Sequence, residues 1–302
     1  MAWEGILAAL ASAIMLGGAP ILAKLAYRDG ADPATVVILR SGIAALALWA
    51  LYLIHPRWRR YLYIYPVGLL GCLAVGFTNA LGSIFYYMGL YRLDAAVAHL
   101  IYSMYPVLVA VITHLNGEPV PGWTRVRILM AGLGVGLLLG RFQGMPDPLG
   151  VILVLLSSGL YALHVVLSQR VLYEMPAQTL TLYALTATAA FTPVAGWAMG
   201  NARASVPTAA LGPIAAMAGV LMLSRLTMFL GVKRLGGVQT ALLTVLEILV
   251  TVGLAVGFLG ERLTPVQWLG ALLMIASVML IARKSSRAPI PRWRMPLLPP
   301  AD

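Results

Sequence analysis

Charge is what this chain has least of. Of its 302 residues only 10% are charged, against 61% hydrophobic, whereas a soluble domain carries roughly a quarter charged residues. Such a chain has too little polar surface to clothe a water-soluble globule, which places it in a bilayer. Acids are scarcer still, 10 against 21 Lys and Arg. A net charge of +11 would in a soluble protein point to nucleic acid, but the basic residues sit singly between apolar runs and cluster only at Arg283, Lys284, Arg287, Arg292 and Arg294. They read as topology determinants and lipid-phosphate contacts, so membrane lipids and not nucleic acid are the expected partners. The single cysteine, Cys72, excludes an intramolecular disulfide and any metal-binding cysteine spacing. Also missing are H-E-x-x-H, G-x-S-x-G, a Walker A run and a metal-spaced cluster of acids. Their absence argues against an enzyme and gives no catalytic residue, no metal site and no cofactor. Any pumping must then draw on an ion gradient or on substrate exchange. Gly132-Leu133-Gly134-Val135-Gly136 resembles a nucleotide fingerprint in glycine count alone, because it lies inside an apolar span and follows no strand.

What the chain does contain is apolar runs of about 20 residues, enough to cross a ~30 Å hydrocarbon layer. They fall near 4–26, 34–55, 66–90, 95–115, 122–140, 148–169, 177–199, 209–231, 237–259 and 265–282. The expected fold is an all-α integral membrane protein of ten helices joined by short, Pro- and Gly-marked turns such as Asp32-Pro33, His55-Pro56 and Thr264-Pro265. The first run follows Trp3-Glu4 and no basic region, and it exceeds a signal core in length, so it is expected to stay as the first membrane helix. The loops on the side of both termini carry roughly twice the Lys and Arg of the opposite side, which predicts cytoplasmic termini in the inner membrane of the cell.

The chain states one pattern twice. Tyr86–Asp94 precedes a span ending at Gly117-Glu118, and Met228–Gly236 precedes one ending at Gly260-Glu261; Ser12 and Lys24 match Ser158 and Arg170 in spacing. Helices 1–5 (residues 1–143) thus correspond to helices 6–10 (144–283), followed by a basic, proline-rich tail, 284–302. An odd number of crossings per unit makes the second copy enter from the opposite face, an inverted pair enclosing one central site. Small residues every four positions, at Gly5, Ala9, Ala13 and Gly17, at Gly132, Gly136 and Gly140, and at Gly253 and Gly257, indicate close helix packing. That packing lies within a monomer or at the seam of a weak homodimer.

Polar residues inside spans are costly, and functional candidates for that reason. Arg225 and Glu247 lie eleven residues on either side of a turn at Gly236, so both are ~16 Å deep, at the midplane. They are expected to form a buried bridge, or Glu247 to act as an ion-coupling proton site. His99 stands near Tyr102 on the fourth span and His164 near Tyr161 on the sixth; both histidines can meet a substrate carboxylate or bond a neighbouring helix. Asn79, Ser83 and Tyr86 share one face of the third span. They serve a substrate or join helices. The deeper tyrosines offer an aromatic wall to a partly apolar organic solute. Arg40, about 10 Å into the second span, is expected to snorkel or to pair with a helix end.

Two five-helix repeats, each with a Gly-Glu closing its fourth helix, together with Leu246-Glu247, Gly260-Glu261-Arg262-Leu263-Thr264 and Gln267-Trp268-Leu269-Gly270, resemble the EamA-type ten-helix exporters of the drug/metabolite transporter superfamily. The first half keeps Tyr105-Pro106 and Gly117-Glu118, whereas Ile248 stands where that family usually has a proline. The resemblance implies export of small organic solutes, in known members including amino acids, metabolites and drugs. The tyrosines, with two histidines and an arginine for a carboxylate, favour amino acids, aromatic or bulky apolar ones first. An uncoupled facilitator or channel is the alternative.

Overall fold

The computed structural model describes residues 2–115, 124–138, 147–198, 206–236, 240, 243 and 245–282. Among them every regular element is helical: α1 (Ala2–Arg28), α2 (Pro33–Ile54), α3 (Pro66–Arg92), α4 (Ala95–Tyr102), α5 (Tyr105–Leu115), α6 (Thr124–Leu138), α7 (Pro148–Glu174), α8 (Ala177–Ala198), α9 (Leu211–Leu235), α10 (Val245–Leu254) and α11 (Pro265–Ala282). Six stretches are long and apolar enough to cross a membrane: Trp3–Arg28, Pro33–Ile54, Pro66–Arg92, Ala95–Leu115, Pro148–Glu174 and Thr208–Leu235. The helix starts follow from local chemistry. Pro33, Pro66, Pro148 and Pro265 occupy first-turn positions whose N–H would have no partner, and the Asp32 and Asp147 carboxylates accept from the exposed amides of Thr35 and Leu149. α8 is rich in threonine, yet Thr181, Thr186 and Thr188 each donate to the carbonyl four residues back, which satisfies the hydroxyls within apolar surroundings.

The fourth span departs from a single helix. It is broken at Ser103-Met104 into α4 and α5. Pro106 has no N–H for the Tyr102 carbonyl, which instead accepts from the Ser158 hydroxyl of α7 at 2.9 Å. Ser103 closes the end of α4 with its own hydroxyl on the His99 carbonyl, 2.6 Å away. The ninth span is α10, followed by a π turn over Ala255–Leu259 and by Gly260 at φ +69, a left-handed conformation that suits glycine. Its expected first residues, 237–239, the first repeat's Gly117-Glu118, and the tail 284–302 lie outside the described residues.

Helix packing pairs the two halves reciprocally. α1 packs on α9 as α7 does on α3; α2 packs on α9 as α8 does on α3; and α2 meets α8 as α6 meets α11. The correspondence reaches single residues. A Cβ on Gly5 would lie 2.9 Å from the Arg234 Cβ, and one on Gly150 would lie 3.1 Å from the Arg92 Cβ; Gly231 abuts Ala9, and Gly89 abuts Val154. Arg234 pairs with Glu4, and Arg92 with Asp147 at 2.7 Å. The Arg92 hydrogen bond holds the Asp147 carboxyl below its usual range. The small-residue stripe of α1 is a true seam, with Ala9 and Ala13 fully buried. Gly132, Gly136, Gly253 and Gly257 instead face open space on the single chain, where an added Cβ would touch nothing within 4 Å, so they form no seam with the described residues of the monomer. Gly140 is outside the described residues.

Candidate functional site

A central cavity with at most ≈ 500 Å³ of unoccupied space, its open mouth included, is lined by α1, α2, α3, α4, α7, α9 and α10. Small residues and one proline shape it. A Cβ on Gly17 of α1 would lie 2.9 Å from the Glu247 carbonyl, so the missing side chain lets α10 approach and carries Glu247 to the wall. Thr251 locks this contact by donating to the Gly17 carbonyl at 2.8 Å. Pro20 has no N–H to give the Leu16 carbonyl, and both residues line the cavity.

The positive side is built on Arg225, which is 7% exposed. Its Nη2 donates to Asn79 Oδ1 at 2.7 Å and its Nη1 to the Tyr161 hydroxyl at 3.1 Å. His164 stands behind it and does not line the cavity. Nδ1 of His164 lies 3.0 Å from the Val75 carbonyl, which can only accept; the proton therefore sits on Nδ1, and Nε2 faces Arg225 as an acceptor at 3.4 Å. Asn79 is oriented in turn by Thr188, which accepts from Nδ2 at 3.1 Å while donating to the Ala184 carbonyl. Thr188, Asn79, His164 and Tyr161 thus hold the guanidinium from α8, α3 and α7.

The negative side is Glu247, 5% exposed. Its Oε1 lies 3.5 Å from His99 Nε2, and His99 Nδ1 lies 3.1 Å from the Tyr86 hydroxyl. The buried Arg225–Glu247 bridge expected from depth is absent: among the described residues no carboxylate pairs with Arg225. Equal depth fixes height but not neighbours. α9 packs on α1, α2 and α8, α10 packs on α1 and α4, and α1 runs against both. Between the two charges runs an aromatic wall, Tyr86 to Tyr102 at 4.7 Å between centroids and Tyr102 to Tyr161 at 5.3 Å. Ser83 completes that face of α3 at the cavity.

Arg40 neither snorkels nor pairs with a helix end. It is 5% exposed, lines the cavity, donates to the Tyr87 hydroxyl at 3.1 Å and lies over the Tyr87 ring at 4.2 Å. Tyr87 is one of the deeper tyrosines expected to line a cavity, and it does so. Thr78, also at the wall, escaped the sequence reading, because a single threonine in an apolar span can satisfy its hydroxyl on its own helix, as it does on the Ala74 carbonyl.

The Gly-Glu sequence closing the second repeat has a structural task. Glu261 accepts from the Ala95 and Ala96 amides at 2.7 and 2.9 Å, capping the N-terminus of α4, which carries His99 and Tyr102. Glu261→Ala is expected to cost about 1–2 kcal/mol, read as a lower unfolding temperature in detergent, with Glu261→Gln intermediate. An unchanged unfolding temperature in Glu261→Ala would mean that the cap does not hold α4. Among the described residues no three His, Cys, Asp or Glu side chains converge as metal ligands.

The chain is similar over 280 residues, at 26% identity and covering 88% of both chains, to a Bacillus subtilis (strain 168) protein described as "Uncharacterized transporter YcbK". A solved crystal structure at 19% identity superposes with a TM-score of 0.64 over 92% of this chain and 96% of that one, a likeness of fold. The family model of the EamA-like transporters matches twice, at residues 3–140 and 148–283. With its apolar helices and its two copies of that unit, this chain is a multi-pass membrane protein belonging to the EamA-like transporter family, a transporter of small solutes and not an enzyme.

Proposed function

We propose that the protein is a secondary active exporter of amino acids or related metabolites that works by alternating access around the central cavity. The observation that carries this is the pairing of opposite charges across one aromatic wall. Arg225 is placed for a carboxylate, Glu247 for an ammonium group, and Tyr86, Tyr102 and Tyr161 for the carbon skeleton between them. Asn79 and Ser83 add polar contacts, His99 orients Glu247, and His164 acts through Arg225. Aromatic or bulky apolar amino acids are the first substrates suggested by the tyrosines.

Ten crossings in two inverted five-helix units, 1–143 and 144–283, fit the reciprocal packing of α1 on α9 and α7 on α3. On this reading the ion pairs Arg234–Glu4 and Arg92–Asp147 stand at opposite membrane faces. Both termini and the basic tail face the cytoplasm of the inner membrane, and one chain, or a weak homodimer, is the transport unit.

Uptake of labelled amino acids into proteoliposomes, with and without a pH gradient, tests the reading. Counterflow and gradient-driven flux are expected. Flux blind to the gradient and without counterflow would make the protein an uncoupled facilitator, and no flux from a broad panel of amino acids would end the amino-acid reading of this cavity. Glu247→Gln keeps shape and removes charge, and is expected to reduce coupled flux by about tenfold or more. Wild-type flux in Glu247→Gln would exclude Glu247 from coupling.

A further inference from the structure

Arg40 leaves the charges of the cavity unbalanced. The wall carries two guanidinium groups, which remain protonated in proteins, and one carboxylate, Glu247. Glu247 is turned toward His99. Among the described residues neither arginine forms an ion pair with a carboxylate. Arg225 is held by Asn79, Tyr161 and His164, all hydrogen-bonding groups without formal negative charge in this arrangement, and Arg40 by the ring and hydroxyl of Tyr87. Nε of each arginine is buried without any partner. An uncompensated cation inside a membrane protein is costly and marks a substrate or ion path. A purely structural Arg40 would be expected to spend its five donors on the protein.

Resting on the transporter reading above, we propose that Arg40 is a second anion-binding residue of the same cavity, and that the transported solute is a small molecule with two carboxylates and a net negative charge. One carboxylate meets Arg225 and the other meets Arg40. An ammonium group between them, where the solute has one, faces Glu247, so an acidic amino acid would complement all three charges and a simple dicarboxylate the two cations. The aromatic wall then serves the carbon chain and not a substrate ring.

The test compares each acid with its own amide, which changes charge at nearly constant shape. The full chain in detergent is titrated with glutamate, glutamine, succinate and succinamate, and with phenylalanine, reading the shift in unfolding temperature; proteoliposome counterflow of the same solutes follows. Each acid is expected to act at a concentration about tenfold or more below its amide. Glutamate binding better than succinate would assign the ammonium contact to Glu247, and the reverse would favour a simple dicarboxylate. Arg40→Gln should narrow the difference between acid and amide by weakening each acid about tenfold more than its amide, and Arg40→Lys should retain it. Amides or phenylalanine acting as well as the acids would overturn the inference, as would an Arg40→Gln chain that loses all solutes alike. Where Arg40→Gln does not fold, the comparison of acid with amide in the wild type decides alone. Export of phenylalanine with no preference for acids would sink this inference and leave the transporter reading intact. Acid-selective binding without flux of any solute would do the opposite.

Discussion

Arg225→Ala is expected to reduce transport by about 30-fold or more, to the level of empty vesicles, while the chain still folds. The large functional effect follows from what the side chain joins. One guanidinium reaches Asn79 of α3 at 2.7 Å and Tyr161 of α7 at 3.1 Å while facing the cavity. Removing a buried charge that meets an opposite charge costs roughly 2–5 kcal/mol in binding, which is about 30-fold or more in affinity. Stability should respond less, because two effects oppose each other. Asn79 Oδ1 and His164 Nε2 lose their donor, at about 1–3 kcal/mol for an unsatisfied buried group, whereas the cost of burying the cation disappears. Arg225→Lys keeps the charge but has no planar fork to reach Asn79 and Tyr161 together, so it is expected to fall between alanine and the wild type. Flux in proteoliposomes, set beside the unfolding temperature in detergent, separates the two roles. Full flux with a sharply lowered unfolding temperature in Arg225→Ala would make Arg225 a scaffold residue.

Gly76→Ala is expected to have the largest effect on stability of any single methyl added to this chain at a described glycine. The new Cβ would lie 2.3 Å from the Ala187 Cβ, 2.7 Å from the Ala184 carbonyl oxygen and 3.0 Å from the Thr188 amide nitrogen. Two of these atoms belong to the backbone of α8, so no rotamer change relieves the contact and α3 must move away. Overpacking of this kind costs about 1–3 kcal/mol and occasionally more. The same displacement would pull Asn79 from Thr188, whose hydroxyl sits 3.2 Å from the Gly76 carbonyl, and would loosen the support of Arg225. Transport should therefore fall together with stability. Gly219→Ala is the control. There the added Cβ meets nothing within 4 Å, and a helical glycine replaced by alanine gains roughly 0.5–1 kcal/mol. Thermal unfolding of the two variants should shift in opposite directions. A Gly76→Ala chain as stable as the wild type would mean that α3 and α8 do not touch as closely as the structure has them.

Apart from those outcomes, the two levels of description divide cleanly at particular residues. Membrane class, helical content and transporter family were legible in the chain itself, because a scarcity of charge and repeated apolar runs leave few folds open and because the Gly-Glu endings recur. The candidate residues were legible for the same reason. A polar group in an apolar span is rare, so Asn79, His99, Arg225 and Glu247 stood out, and the structure brings them to one cavity wall. Which of them meet was beyond the sequence. Helical rise gave Arg225 and Glu247 the same depth, but α1 runs against both of their helices, and each found other partners. Arg40 is the sharpest case. Its distance from a helix end allowed it to reach the surface, and only the packing of α2 against α3 and α9, with Tyr87 beneath its guanidinium, turned it inward. Depth, periodicity and composition are properties of one helix at a time, so the sequence determined them. Azimuth and adjacency exist only once helices pack, so the tertiary structure alone decided how the charges of this cavity are arranged.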